Sequence, residues 1–234
     1  DDQALADSIA DDMAEYIWRV REEYVDQQFP MPKEAVQITK KAIANQQTPV
    51  ALGDYSDRPG DATWILSELI DKEVGKVLYA ALRDEFALEA LKEQNAQPGD
   101  LFSSKVGGIT GEQAGPAVQI DGEVLFFGPQ WGYDHVAAIG FGNDNVLIIT
   151  PTYEQIIQPE SLRFGPINPD DFDVFVVKSR VHFRRGFDET GYAKTIQVVD
   201  APGDWFGTIR INALEYEFGP IDQLYPFNTE TIDY

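Results

Sequence analysis

The sequence predicts an α/β fold: a single domain with a mixed sheet flanked by helices and a β-rich middle. Three observations carry that reading. In the first 94 residues, segments with apolar positions every three to four residues alternate with short apolar runs. From Leu101 to Thr150 the pattern changes to short apolar or alternating runs separated by glycine-rich turns. Two continuous runs, Asp173–Val177 and Thr195–Val199, then read as strands buried on both faces.

Taken in order, residues 2–27 read as a helix. Leu5, Ile9, Met13, Ile17, Val20 and Tyr24 form one apolar stripe, acidic residues occupy the other face, and Pro30 and Pro32 end it. A second helix is expected from about Lys33 to Asn45. A strand at Thr48–Gly53 leads into a turn-rich loop, Asp54–Gly60. Asp61 is a good N-cap for a helix over Ala62–Ile70. Val74–Leu82 reads as a strand and Asp84–Gln94 as a helix stopped by Asn95 and Pro98. Leu101–Val106, Pro116–Phe127, His135–Phe141 and Val146–Thr150 read as antiparallel strands, with breaks at Gly107-Gly108, Gly128-Pro129 and Gly142–Asn145. Ser179 onward turns helical, and the tail from Pro202 is loop-rich.

The composition excludes several functions. The chain has 234 residues, 43% of them hydrophobic, which suffices for a proper core. Its formal net charge is −22, and a field of that sign repels phosphate backbones and anionic lipid, so neither nucleic acid nor membrane is an expected partner. No apolar run approaches the length of a membrane span. No signal peptide is visible, and a cytoplasmic location is expected. There is no Cys and there are only two His, so the chain cannot assemble a zinc site rich in nitrogen or sulfur by itself. The usual nucleotide-binding, hydrolase-elbow and zincin motifs are absent.

Two clusters are candidates for chemistry. Lys178, Arg180, Arg184 and Arg185 lie in one segment with Ser179 and His182, directly after the buried strand Asp173–Val177. The carboxyl end of a central strand is where α/β folds place ligands, and cations there suit a carboxylate or another anion. A solvated basic turn that offsets the acidic surface is the competing reading. The second cluster is Asp54, Asp57 and Asp61 around Arg58-Pro59-Gly60. Three carboxylates so close suit a cation, a basic group or proton transfer, against ordinary turn and capping chemistry. His135, within an alternating strand, reads as packing.

Val176-Val177-Lys178-Ser179-Arg180-Val181-His182-Phe183-Arg184 resembles the VKSxxHFR motif of MlrC-type proteins, metallopeptidases named after a bacterial enzyme that degrades linearised microcystin. Asp200-Ala201-Pro202-Gly203 resembles that family's DAPG turn, and Asp54–Asp61 resembles its DxxDxPGGGxxGD loop. Gly107-Gly108, Gly115-Pro116 and Ile17-Trp18-Arg19 are similar to further family positions, in the same order along nearly the whole chain. The likeness is to the C-terminal domain. It implies that residues 1–234 form one MlrC C-terminal-like domain, and the Asp1 start without Met fits a fragment of a longer two-domain protein.

The resemblance further implies a zinc-dependent peptide or amide hydrolase. The metal activates a water and polarises the carbonyl, and its ligands lie mainly in an N-terminal metal-binding domain, the expected partner. This chain then forms the second wall of the cleft and provides no metal ligand. His182 is the catalytic candidate, as oxyanion donor or proton donor to the leaving amine. Lys178, Ser179, Arg180, Arg184, Asp54, Asp57 and Asp61 are the substrate-binding candidates, one of the cations pairing with a substrate carboxylate. Where the family has a glycine-rich insert, Pro59 runs directly into Gly60-Asp61. That shortening favours the alternative, a non-catalytic binding or assembly module of the same fold. Homo-oligomerisation stays open. A lost partner surface is also expected to leave an exposed apolar patch, with the stripe of the first helix as its centre.

Overall fold

The computed structural model describes residues 2–24, 29–55 and 59–202. Asp57, residues 25–27 of the first expected helix and the tail beyond Pro202 lie outside the described residues. The described residues divide into two compact units, 2–24 and 29–202.

In the first unit, α1 (Gln3–Val20) is capped by Asp2, whose carboxylate accepts a hydrogen bond from the Leu5 N–H, and it continues into a 3-10 turn, Arg21–Tyr24. The apolar stripe expected from the sequence is present. None of the helix is buried, and Leu5, Ile9, Met13 and Ile17 are each more than half exposed.

The second unit holds the sheet. Its strands are β1 (Val50–Asp54), β2 (Val77–Arg83), β3 (Leu101–Val106), β4 (Val118–Gln130), β5 (Tyr133–Phe141), β6 (Asn145–Thr150), β7 (Val174–Val177) and β8 (Thr195–Val199). The helices are α2 (Pro32–Ala44), α3 (Trp64–Asp71), α4 (Glu85–Glu93) and the single turn α5 (Arg184–Phe187). The eight strands form one mixed sheet in the order β3-β4-β5-β6-β2-β7-β1-β8. β6, β2, β7, β1 and β8 run parallel, β3, β4 and β5 are antiparallel, and β6 joins the two halves by pairing antiparallel with β5 and parallel with β2. This is the expected α/β architecture with a β-rich middle.

The period of two along each strand sends its apolar residues to opposite faces. In β7, Val174 and Val176 join the core under α2, α3 and α4, with Ala35, Val36, Leu66, Leu69 and Leu88. Phe175 and Val177 join the other core, built by Phe183, Phe187 and the segment 156–172. Both faces are covered, which is why β1, β2 and β7 read as unbroken apolar runs. No helix among the described residues is long and apolar enough to cross a membrane.

Several boundaries differ from the sequence expectation. Gly128-Pro129 does not end its strand. β4 runs through to Gln130, and the hairpin turns at Trp131 and Gly132, both with positive φ. Pro129 is tolerated because β3 pairs with β4 only up to Glu123, so the missing N–H falls where that side has no ladder to lose. The helix expected from Ser179 is delayed to Arg184 and is one turn long. Asp61 is not an N-cap: α3 starts at Trp64, after Thr63. Asp84, by contrast, caps α4 through the Ala87 N–H at 2.9 Å.

Candidate functional site

All five parallel strands end on one edge of the sheet, and among the described residues Asp54, Asp61, Lys178 and Arg180 of the two sequence clusters gather there. Lys178, directly after β7, is fully buried. Its ammonium donates to Asp54 Oδ2 (2.9 Å), to the Ala62 carbonyl (2.7 Å) and to the Tyr79 hydroxyl (2.8 Å), and it lies 4.9 Å from the Tyr79 ring centroid. Three acceptors match its three protons. Asp54, the last residue of β1, is 5% exposed. Lys178 and Asp54 thus meet each other across adjacent strands, beneath the surface. Burial makes this pair costly to break from one side.

Asp61 is also fully buried. One carboxylate oxygen accepts from the Thr110 N–H (2.6 Å) and the other from the Thr110 hydroxyl (2.8 Å), while its carbonyl accepts from the Gly108 N–H (2.8 Å). Thr63 donates its hydroxyl to the Pro116 carbonyl (2.7 Å) and its N–H to the Ala114 carbonyl (2.8 Å). Asp84 holds the same loop by accepting from the Gly107 N–H at 2.9 Å. The turn after β1 is thereby fastened to loop 107–116. The Gly107-Gly108 turn serves that closeness: at Gly107 (φ +68°) a Cβ would stand 2.4 Å from Thr63 Cγ2. Arg83, at the end of β2, is bidentate on Glu85, and that hydrogen-bonded pairing raises its pKa above the ordinary guanidinium value.

The segment after β7 is arranged differently. Ser179 is buried, and its Oγ accepts from the Phe183 N–H and from Gln155 Nε2, both at 3.2 Å. Arg180 is half-buried. Its Nε donates to the Tyr55 carbonyl at 2.9 Å, and its guanidinium sits 4.5 Å from the Tyr55 ring centroid. His182 is exposed, with Nδ1 3.4 Å from Gln155 Oε1. Arg184 is exposed and pairs with Asp188 one turn on, at 3.4 Å. The other histidine, His135, stacks on Phe127 at 4.9 Å, consistent with packing.

The structure therefore brings Asp54, Asp61, Lys178, Ser179, Arg180 and His182 to one edge, with Arg184 on the flanking turn. The sequence reading missed Tyr79, Thr110, Tyr55 and Gln155. Tyr79 is hidden inside an apolar run, and Gln155 lies in a stretch with no periodicity to mark it. Among the described residues, no group of three or more His, Asp or Glu side chains is placed to hold a metal ion.

The family model described as MlrC C-terminus matches residues 52–210, which takes in the whole of this edge. A solved structure from Mesorhizobium sp. BNC1, described as a "putative metallopeptidase", is similar in fold, with a TM-score of 0.62 at 17% identity. The likeness covers 95% of this chain and 45% of that one, so the chain spans less than half the length of that structure. No curated protein matches the sequence. With the family model matched over more than half of its length, this chain belongs to the MlrC C-terminus family.

Proposed function

We propose that this chain is the C-terminal, cleft-forming domain of a metal-dependent peptide or amide hydrolase. One observation carries the reading. The segment after β7 presents His182 and Arg180 at the carboxyl edge of a parallel sheet, where α/β folds bind ligands. Family membership adds the reaction class, and the similar structure described as a metallopeptidase adds the metal.

The described residues do not form a metal site. The metal, zinc by family resemblance, belongs to a preceding domain that acts as partner. What this chain supplies is a wall and a proton donor. His182, exposed and steadied by Gln155, hydrogen-bonds the developing oxyanion or protonates the leaving amine. The Asp54–Lys178 pair keeps β1 and β7 in register beneath it. The test is His182→Asn in the whole protein, with turnover and melting temperature measured on the same preparation. Turnover is expected to fall roughly 100- to 1000-fold while the melting temperature stays nearly constant. A large melting shift with near-normal turnover would remove His182 from the chemistry.

The second reading, a binding or assembly module that has lost the chemistry, is favoured by the shortened Pro59-Gly60-Asp61 turn. Amide hydrolysis together with bound zinc in the whole protein would eliminate it. Zinc-free protein without activity would leave it as the better account.

A further inference from the structure

Four cations follow β7, Lys178, Arg180, Arg184 and Arg185, and the surroundings of the first three separate them. Lys178 is fully buried, with three acceptors around its three protons. Arg184 is paired with Asp188 on its own turn. Arg180 differs from both. Only its Nε is engaged among the described residues, on the Tyr55 carbonyl, and its two terminal nitrogens have no partner there. Yet the side chain is held. The guanidinium stacks on the Tyr55 ring at 4.5 Å, that ring packs against Phe29 at 5.0 Å, and the Tyr55 N–H is tied to the Val199 carbonyl at the end of β8. An arginine fixed by its Nε and its face, with its fork unused, is pre-organised for a planar, bidentate partner.

We propose that Arg180, seated on Tyr55, is the receptor for a substrate carboxylate, so that the substrate of this site is an amide or peptide bearing a free carboxylate close to the scissile bond. The proposal rests on the cleft reading above and narrows it. The fork pairs bidentately with either anion. A carboxylate is preferred to a phosphate because a chain of net charge −22 penalises a dianion more than a monoanion. Two charge-assisted hydrogen bonds also fix the register of the substrate along the edge, which a point charge such as a lysine ammonium does less well.

The experiment titrates this chain with N-acetylglycine, N-acetylglycinamide and inorganic phosphate, following the Arg180 side-chain Nε–H signal by NMR. N-acetylglycine is expected to give a saturable shift with a midpoint of about 1–10 mM. The amide, which lacks the charged pair of oxygens, and phosphate, whose second charge the acidic chain penalises, should each bind at least about 10-fold more weakly. Arg180→Gln should abolish the saturable binding, read through the neighbouring Tyr55 signals. Arg180→Lys, which keeps the charge and loses the fork, should weaken it several-fold, with melting curves confirming that both variants fold. Equal binding of acid and amide, tighter binding of phosphate, or binding that survives Arg180→Gln would overturn the assignment. Turnover of an acyl peptide and of its carboxamide by the whole protein separates this proposal from the hydrolase reading. Carboxylate binding without any hydrolysis would sink the hydrolase and leave Arg180 standing. Equal hydrolysis of both substrates without carboxylate binding would do the reverse.

Discussion

The turn after β1 and the segment after β7 leave adjacent strands on the same edge of the sheet, yet their charged groups end in different surroundings. After β1, Asp54 and Asp61 are buried and their oxygens are occupied by Lys178 and by Thr110. After β7, Lys178 and Ser179 are buried, whereas Arg180 is half-buried on the Tyr55 carbonyl and His182 is exposed beside Gln155. Both regions read as candidates in the sequence, the basic segment more strongly, because each is a dense cluster of charge beside a strand. The difference lies in what the rest of the fold brings to meet them. A carboxylate that satisfies two N–H or O–H groups of a loop works as a fastener. A guanidinium with an unused fork is free to meet a ligand.

The comparison can be broken most sharply at Lys178. Lys178→Met takes the buried ammonium away from Asp54 and should cost about 3–5 kcal/mol, read as a lowered denaturant midpoint. Adding Asp54→Leu should recover much of that loss, because no lone charge then remains inside. If the single variant were near neutral, the pair would not be buried as described. The fastened loop gives the next effect. Gly107→Ala places a Cβ at positive φ against Thr63 and should cost about 2–3 kcal/mol from backbone strain and overpacking together. The same substitution at Gly132, where φ is also positive but nothing lies within 4 Å, should cost only the strain, so the difference between the two measures the packing of the loop on Thr63.

The smallest effect belongs to an exposed pair far from this edge. Arg163 donates to Asp170, and with the Tyr192 hydroxyl it holds the Asp170 carboxyl below its ordinary pKa. A depressed carboxylate contributes stability above its unfolded pKa and loses it as pH falls through the lower, folded value. Arg163→Gln should therefore move the Asp170 titration upward, and the gap between variant and parent stability should close in acid. An unchanged Asp170 titration would show that the pairing is not held in solution.

Much of the fold was legible because the information is local. Apolar runs announced β1, β2, β7 and β8. Capping is also local, since a cap needs only the N–H three residues away, as Asp84 shows in α4. The same rule failed at Asp61. Nothing nearby distinguishes it from a capping aspartate, and its partner Thr110 is 49 residues along the chain. Gly128-Pro129 failed for a related reason: whether a proline breaks a strand depends on where the neighbouring strand stops.

The candidate site divides along the same line. The basic segment, its place after a buried strand and its family likeness could all be read from residues 174–184 alone. The absence of thiolate ligands needs only the composition of the whole chain, which contains no Cys and which folding does not change. Which cation is buried and which is presented could not be read in that way. Lys178 is matched by Asp54, Ala62 and Tyr79 from 124, 116 and 99 residues away, and Arg180 is steadied by Tyr55 from 125. Pairings over such distances exist only once β1, β2 and β7 lie side by side. Side-chain chemistry and local periodicity thus belong to the sequence, while the satisfaction of each charge, and with it the distinction between a buried fastener and a half-buried cation, was decided by the tertiary structure.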